Sequence, residues 1–249
     1  TFVGEPNAVK DAAFMAISRA SELIDMEKHS GEHPRIGATD VVPFVPVSGV
    51  TTEDCVELAR SLGQEVADKL HIPVYLYEEA ATCEDRRNLA NIRRGNYEGL
   101  KQTISLPERH PDFGEPAMHP TAGATVIGAR NFLVAYNINL STSDVSIAKK
   151  IARRVRASSG GLMYVKALGI MLEDRNLAQV SMNLTNFAKT PIHVAFNMVK
   201  TEAERYGVSI VGSEIIGLIP MDALLDAARH YLRLESFSRQ QVLEARIWE

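Results

Sequence analysis

The chain has 249 residues, of which 45% are hydrophobic and 23% charged, a composition typical of an ordered globular protein with one large or two modest cores. Its formal net charge of −4 gives no general attraction for nucleic acid or anionic lipid, and no run of about eighteen apolar residues is present to cross a bilayer. We therefore expect small ligands, with no nucleic-acid and no membrane partner.

The first part of the chain predicts two amphipathic helices and two short strands. Thr1–Gly4 resemble the end of a strand, and the helical spacing of apolar residues predicts a helix from Pro6 to His29. After a loop rich in Gly and Pro, residues 41–49 predict an irregular edge strand because they contain two prolines. A capping pattern at Thr51–Asp54 begins a second helix, and Pro73–Tyr77 predict a strand.

The stretch from Thr82 to Ala122 has no clear periodicity and is rich in Gly, Pro, Arg and His. We expect short helical turns within long connections there, and such stretches in compact domains are usually functional. Its basic residues either steer an acidic ligand or form a solvated face. They are Arg86, Arg87, Arg93, Arg94 and Lys101.

The second half has a regular pattern that indicates alternating strands and helices. The predicted strands are Phe132–Leu140, Tyr164–Leu172, Leu177–Thr185 and Val208–Ser213, and the predicted helices are Ser143–Ala157, Pro191–Tyr206 and Pro220–Leu232. Up to Ser213 the order is βαββαβ, the split unit of a ferredoxin-like α/β sandwich.

One face of the predicted C-terminal sheet carries polar side chains. In the strand Leu177–Thr185, apolar residues alternate with Gln179, Ser181, Asn183 and Thr185, and Asn137 and Asn139 share one side of their own strand. We expect this face to carry amides and hydroxyls rather than charges. It is either solvated or directed at a second domain across a ligand-filled gap.

The usual catalytic signatures are missing from the sequence. Seven histidines occur without a metal-binding spacing, and GxSxG, Walker and GxGxxG motifs are absent, so no metal is expected. The cysteines, Cys55 and Cys83, form no CxxC pair, which predicts neither a disulfide framework nor a zinc site and fits a reducing cytoplasm.

His33 has a distinctive setting in the run GEHPRIG. Gly31 and Gly37 allow a ligand to approach the backbone, and Pro34 restricts His33 to an extended conformation. A histidine exchanges protons near neutral pH, so His33 is a candidate acid and base for amine transfer. The alternative is a loop histidine that caps a neighbouring helix.

Five segments together identify a family resemblance. They are LIDMEKHSGEHPRIGATDVVPFVPVSGVT, PVYLYEEA, PDFGEPAMHPTAGATVIGARNFLVAYNINL, NLAQVSMNL and VGSEIIGLIP. In this order, and across nearly the whole chain, they resemble the formiminotransferase domain. The resemblance implies a transferase that moves the formimino group of N-formimino-L-glutamate to N5 of tetrahydrofolate, in histidine degradation and one-carbon metabolism.

The resemblance also implies a fold. It is an α+β fold of two ferredoxin-like (βαββαβ) α/β sandwich subdomains with a ligand tunnel between them, which agrees with the order read from the second half. We place the subdomains at residues 1–132 and 133–249 and expect the first to lack its N-terminal elements. A cytoplasmic homodimer is implied as well.

The family's catalytic histidine lies in GEHPR, which places that role on His33. The folate-binding loop of the family matches GEPAMHPTAG, which comprises Gly114, Glu115, Pro116, Ala117, Met118, His119, Pro120, Thr121, Ala122 and Gly123. Tetrahydrofolate, including its polyglutamylated forms, is thus the implied co-substrate. Its amine attacks the amidine carbon, and the departing glutamate nitrogen must be protonated, a step that His33 can perform.

Further substrate contacts are expected from the chemistry of formimino-glutamate. Glu32 and Asp40 are the nearest carboxylates by sequence that can stabilise its amidinium. Arg35 either pairs with a substrate carboxylate or bridges to a local acid. Gln179 and Asn183 are expected to line the cleft from the polar sheet face.

Two other functions are compatible with these residues. The chain could be a folate-binding module without turnover, or a transferase that uses formyl-glutamate, because amidine and carbonyl carbons present similar shapes.

Overall fold

A computed structural model describes residues 1–31 and 33–248, except for the side chain of Trp248. The chain divides into two compact units, one formed by Phe2–Asn131 and the other beginning at Phe132. The first contains a parallel three-stranded sheet and the second an antiparallel four-stranded sheet, each with helices. The expected class, two α+β units, is therefore confirmed.

The N-terminal unit is built around the parallel sheet. Its helices are α1 (Pro6–Leu23), α2 (Thr52–Leu70), α3 (Leu89–Ile92) and α4 (Asn96–Thr103), and its strands are β1 (Val41–Phe44), β2 (Val74–Glu78) and β3 (Thr125–Ala129). The strand order is β1-β3-β2, so the last strand in sequence is the central one.

Both faces of this sheet are covered. Leu76 and Ile127 pack with α1 and α2 on one face, whereas Tyr75 and Val126 pack with α3 and α4 on the other. Every residue of β3 is buried as a result. A strand buried on both faces shows no alternation, and for this reason the sequence pattern did not predict β3 and the next predicted strand was Phe132–Leu140.

Two predictions at the start of the chain are wrong. Thr1–Gly4 form no strand within the described residues. The first helix ends at Leu23 rather than at His29, because Ile24 is extended and the backbone N–H of the buried Met26 donates to the carbonyl of Thr121, 2.8 Å away. A tertiary contact therefore overrides the helical pattern.

The predicted capping box of α2 is confirmed. The backbone N–H of Asp54 donates to the Thr51 hydroxyl at 3.1 Å, and the backbone N–H of Thr51 donates to the Asp54 carboxylate at 2.7 Å.

The C-terminal unit has the predicted βαββαβ order. It comprises β4 (Val134–Leu140), α5 (Val145–Val155), β5 (Val165–Leu172), β6 (Leu177–Leu184), α6 (Ile192–Glu204), β7 (Ile210–Ile216), α7 (Met221–Leu232) and α8 (Leu243–Trp248). The strand order is β5-β6-β4-β7, and all neighbours run antiparallel, as in a ferredoxin-like sheet.

The core of this unit lies on one face of its sheet. The apolar residues of β6, from Ala178 to Leu184, are fully buried there against α5 and α6, which confirms the predicted alternation.

Among the described residues, none of the helices combines the length and the apolar character needed to cross a bilayer.

Candidate functional site

His33 lies in the loop between α1 and β1. Its side chain is exposed and makes no hydrogen bond with another described residue, so the alternative role as a helix cap finds no support there. Glu32, an expected substrate contact, lies outside the described residues. Three residues after His33, Ile36 is completely buried and fixes the end of the exposed turn.

Arg35 binds a local acid. Its two terminal nitrogens donate to the two carboxylate oxygens of Glu98 in α4, at 3.2 and 2.9 Å. One of them, Nη2, also donates to the carbonyl oxygen of His29 at 3.0 Å. The guanidinium holds the pKa of the Glu98 carboxyl below its ordinary value. Of the two roles considered for Arg35, the structure contains the bridge to a local acid.

Asp40 is also engaged within the N-terminal unit. Its Oδ1 accepts the backbone N–H of Ile36 at 2.8 Å, and its Oδ2 forms an ion pair with the guanidinium of Arg93. Both oxygens therefore fix the loop that carries His33.

The loop of His33 is paired with the expected folate loop. The backbone N–H of Ala38 donates to the carbonyl of Ala122 at 2.9 Å, and that of Ala124 donates to the carbonyl of Ile36 at 3.0 Å. Gly37 and Gly123 meet at this pairing, and a Cβ atom on Gly37 would collide with the Ala124 carbonyl. The loop that carries GEHPR and the loop of residues 114–123, which belong to two of the five segments of the resemblance, are thus held together by backbone hydrogen bonds.

The expected folate loop is a pinned turn with an exposed side. His119 and Gly123 exchange backbone hydrogen bonds of 3.0 and 3.2 Å. The ring Nδ1 of His119 accepts the N–H groups of Thr121 and Ala122, at 3.3 and 3.0 Å. Burial lowers the pKa of His119, with a smaller contribution from His71, and the neutral ring suits this acceptor role. Exposed backbone of the loop, including Gly114, is free to meet a ligand.

Two side chains near this loop, Tyr97 and Glu27, were not among the residues predicted from the sequence, whereas their partner Lys101 was named in the basic stretch. The buried Tyr97 in α4 donates its hydroxyl to Glu27, which also pairs with Lys101. Burial and the Glu27 carboxylate raise the pKa of Tyr97 to about 12. The cluster joins the turn after α1 to α4. Because Tyr97 and Glu27 are 70 positions apart in the sequence, no local pattern reveals it.

The basic stretch is largely neutralised. Arg86 pairs with Asp112 at 2.6 Å, and Arg87 pairs with Glu79 and Glu84. Arg93 and Lys101 hold Asp40 and Glu27, as described above. Arg94, which is exposed, is the one residue of this stretch that forms no ion pair within residues 1–31 and 33–248. The pattern favours local ion pairs over the alternative of a basic rim that steers an acidic ligand.

The polar face of the C-terminal sheet carries a connected group of side chains. Gln179 Nε2 donates to Asn139 Oδ1 at 2.8 Å and to Glu214 Oε1 at 3.0 Å, and Asn137 donates to the same Glu214 oxygen at 3.1 Å. Gln179 and Asn139 are buried, at 1% and 4% exposure, so these bonds satisfy groups that have lost water.

Glu214 corrects the expectation of a face without charges. It lies on β7 opposite Asn137, a pairing that cannot be known before the strand order is known. Asn183, at the other end of the same face, is exposed and lies opposite Ala135 and Lys166.

A cavity of about 300 Å³ lies in the C-terminal unit on the helix-covered side of the sheet. Its walls include Tyr136, Phe196 and Tyr231. His193 in α6 stacks on His230 in α7 with ring centroids 4.1 Å apart, and its Nδ1 lies 3.7 Å from a carboxylate oxygen of Asp226. Burial, followed by His230, lowers the pKa of His193, and Asp226 partly offsets the shift.

The cysteines lie apart from these features. Cys55 is buried in α2, where burial raises the pKa of its thiol and makes it a poor nucleophile, and Cys83 is exposed. Within the part of the chain that the structure describes, no three His, Cys, Asp or Glu side chains are grouped to hold a metal ion.

Comparison with known families gives two matches along the chain. Residues 1–130 match the model of the formiminotransferase domain, N-terminal subdomain, and residues 135–246 match the model of the formiminotransferase domain.

Individual relatives are similar over nearly the whole chain. A glutamate formimidoyltransferase of Streptococcus pyogenes is 49% identical, and the match covers 98% of this chain and 82% of that enzyme. A glutamate formimidoyltransferase of Thermoplasma acidophilum is 53% identical, and the match covers 99% of this chain and 82% of that enzyme. A formimidoyltransferase-cyclodeaminase of Gallus gallus is 48% identical over 94% of this chain, which spans 44% of that protein.

Proposed function

Because the chain belongs to the formiminotransferase family, we propose that it transfers the formimino group of N-formimino-L-glutamate to N5 of tetrahydrofolate, giving 5-formimino-tetrahydrofolate and glutamate. The observation that carries the proposal is about 50% identity to two glutamate formimidoyltransferases over nearly the whole chain. The pairing of the His33 loop with residues 114–123 supports it, because the expected catalytic loop and the expected folate loop lie together.

In the proposed mechanism His33 moves one proton. The N5 amine of tetrahydrofolate attacks the formimino carbon, and a new C–N bond forms in a tetrahedral intermediate. The neutral imidazole of His33 accepts the proton that N5 loses. The resulting imidazolium donates it to the glutamate nitrogen, the old C–N bond breaks, and glutamate leaves as an amine.

The proposal extends to the residues that bind the two substrates. Residues 114–123 would contact tetrahydrofolate mainly through backbone groups of a turn that His119 holds in shape. Asn183 would contact substrate from the polar sheet face, whereas Gln179, which is buried, would act through the side chains that it binds, Asn139 and Glu214. Asp40 would act chiefly through the loop that it fixes, since both of its oxygens are occupied.

Several broader features of the proposal come from the family resemblance. They are subdomains at residues 1–132 and 133–249, a cytoplasmic location, a homodimer and small-molecule partners only. The subdomain boundary is supported by the division of the chain between Asn131 and Phe132. Light scattering of the purified protein tests the dimer directly.

The activity is tested by mixing the purified full chain with formimino-glutamate and tetrahydrofolate and measuring 5-formimino-tetrahydrofolate. We expect product with this donor and little with formyl-glutamate. Product only from formyl-glutamate would establish the alternative transferase. Folate binding measured by calorimetry, without product from either donor, would establish a binding module and overturn the proposal.

A further inference from the structure

We propose that Glu98 is a positioning residue that acts through Arg35 to hold the His33 loop in its working shape. The inference rests on the proposed function, in which His33 is the proton carrier. It assigns to the Arg35–Glu98 pair a role in catalysis without contact with substrate.

The guanidinium of Arg35 closes the loop on both sides of His33. It reaches back to the carbonyl oxygen of His29 at 3.0 Å, while its own backbone lies two residues after His33. The span from position 29 to position 35 is thereby fastened at its two ends. Motion of the guanidinium would change the backbone path on which His33 is carried.

Glu98 holds that guanidinium in place. The two-bond arrangement, at 2.9 and 3.2 Å, fixes both the distance and the plane of the Arg35 head group. Glu98 lies in the first turn of α4, where the helix dipole favours a carboxylate. The buried neighbours Tyr97 and Leu100 anchor this helix to the core, so the carboxylate is a stable point of attachment.

The burial of Arg35 makes it dependent on Glu98. Its side chain is only 16% exposed, and its Nε is buried without a partner among the described residues, whereas the Glu98 side chain is 60% exposed. A buried cation that loses its anion is costly and tends to move toward water. Removing the charge of Glu98 should therefore displace Arg35 and the loop, not merely weaken a surface contact.

A direct substrate role of Arg35 predicts the opposite outcome. If Arg35 bound a carboxylate of formimino-glutamate, Glu98 would compete with that substrate. Neutralising Glu98 would then lower the KM for formimino-glutamate. Under the positioning role the same change lowers kcat and leaves the KM and the folate affinity within a few-fold, because geometry and not binding is lost.

The test is Glu98→Gln in the full chain, with Glu22→Gln as the matched control. Glu22 is 57% exposed and pairs with Arg19 at 2.6 Å in α1. We expect about a tenfold fall in kcat for Glu98→Gln and none for the control. Arg35→Lys keeps the positive charge but cannot form the two hydrogen bonds to Glu98, so its kcat should fall about as much as that of Glu98→Gln. The kcat of the double variant, Glu98→Gln with Arg35→Lys, should be little lower than that of either single variant.

A second readout is independent of turnover. The carbon–proton resonance of the His33 ring, assigned by its loss in His33→Ala, should shift in Glu98→Gln and stay in place in Glu22→Gln. A wild-type kcat, a lowered KM or an unmoved His33 resonance in Glu98→Gln would overturn the inference. Absence of product from the unmodified chain would instead refute the proposed function, and the resonance would still report on positioning.

Discussion

At the scale of single residues, the candidate site is a set of side chains that hold one exposed imidazole in a defined loop. Asp40 and Arg35 were named from the sequence for their charges, but the structure uses both to fix the backbone around His33. Their partners, Arg93 and Glu98, lie 53 and 63 positions away. A sequence pattern identifies the residue types that a reaction needs, but it cannot identify partners that only the fold brings together.

The backbone contact at Gly37 gives a prediction on stability. A methyl group at this position meets the carbonyl oxygen of Ala124, part of a rigid backbone that cannot move aside. We expect Gly37→Ala to lower the free energy of unfolding by about 2 to 3 kcal/mol in urea titrations. Gly212→Ala, where a Cβ atom meets nothing, is the control. Equal stability of the two variants would contradict the close pairing of the loops.

The buried amide group of the C-terminal sheet gives a second prediction. Gln179→Ala leaves Asn139 and Glu214 without a shared donor, which should cost about 1 to 3 kcal/mol of unfolding free energy. Asn183→Ala, at an exposed position of the same face, should change stability by less than about 0.5 kcal/mol. Calorimetric unfolding distinguishes the two.

The same Asn183 variant tests the role of the face in binding. If this face contacts substrate, Asn183→Ala weakens the binding of formimino-glutamate, measured by its KM, although the fold is unaffected. A wild-type KM would remove Asn183 from the proposed site.

At the scale of elements, the two units explain which strands could be predicted. In β6 one face is covered and the other is polar, so alternation marked both the strand and its orientation. In β3 both faces are covered, and the apolar run from Thr125 to Ala129 gave no period. Its boundaries, Gly123 before it and Arg130 after it, were the only available signal. The end of α1 was set by a contact with Thr121, which lies beyond any local window.

The packing of α6 on α7 predicts a dependence on pH. The lowered pKa of His193 means that the folded state favours the neutral ring, so its contribution to stability is present above the ordinary value of 6.5 and is lost as pH falls through the folded pKa. Among the described residues, the titratable groups around the ring and its cavity include His230, Asp226, Glu214 and the hydroxyls of Tyr231 and Tyr136. The C-terminal unit should thus become less stable as pH falls from about 7 to 5.

Hydrogen exchange of the β4 and β6 amides measures this effect in the C-terminal unit itself. His193→Gln should flatten the fall in protection between pH 7 and 5, roughly the range in which histidine titrates. His29→Gln, at an exposed position of the other unit, should leave it unchanged. An equal slope in all three proteins would exclude His193 as the titrating group.

At the scale of the whole molecule, the chain is two α+β units, each with its own core. The resemblance of five separate segments predicted the family and the two α+β units. Five motifs in a fixed order along the chain are more specific than any single motif. The parallel arrangement of the N-terminal sheet was not predicted, since strand order depends on contacts between elements far apart in sequence. The pairing of the His33 loop with residues 114–123 is the feature that links this fold to the proposed chemistry.

The most direct test of the account is the turnover of His33→Ala with formimino-glutamate and tetrahydrofolate, measured together with its affinity for tetrahydrofolate. If His33 carries the proton to the leaving nitrogen, turnover falls by roughly a hundredfold or more while the affinity stays within a few-fold of the unmodified chain. Near-normal turnover in this variant would contradict the account and require another residue as the proton carrier.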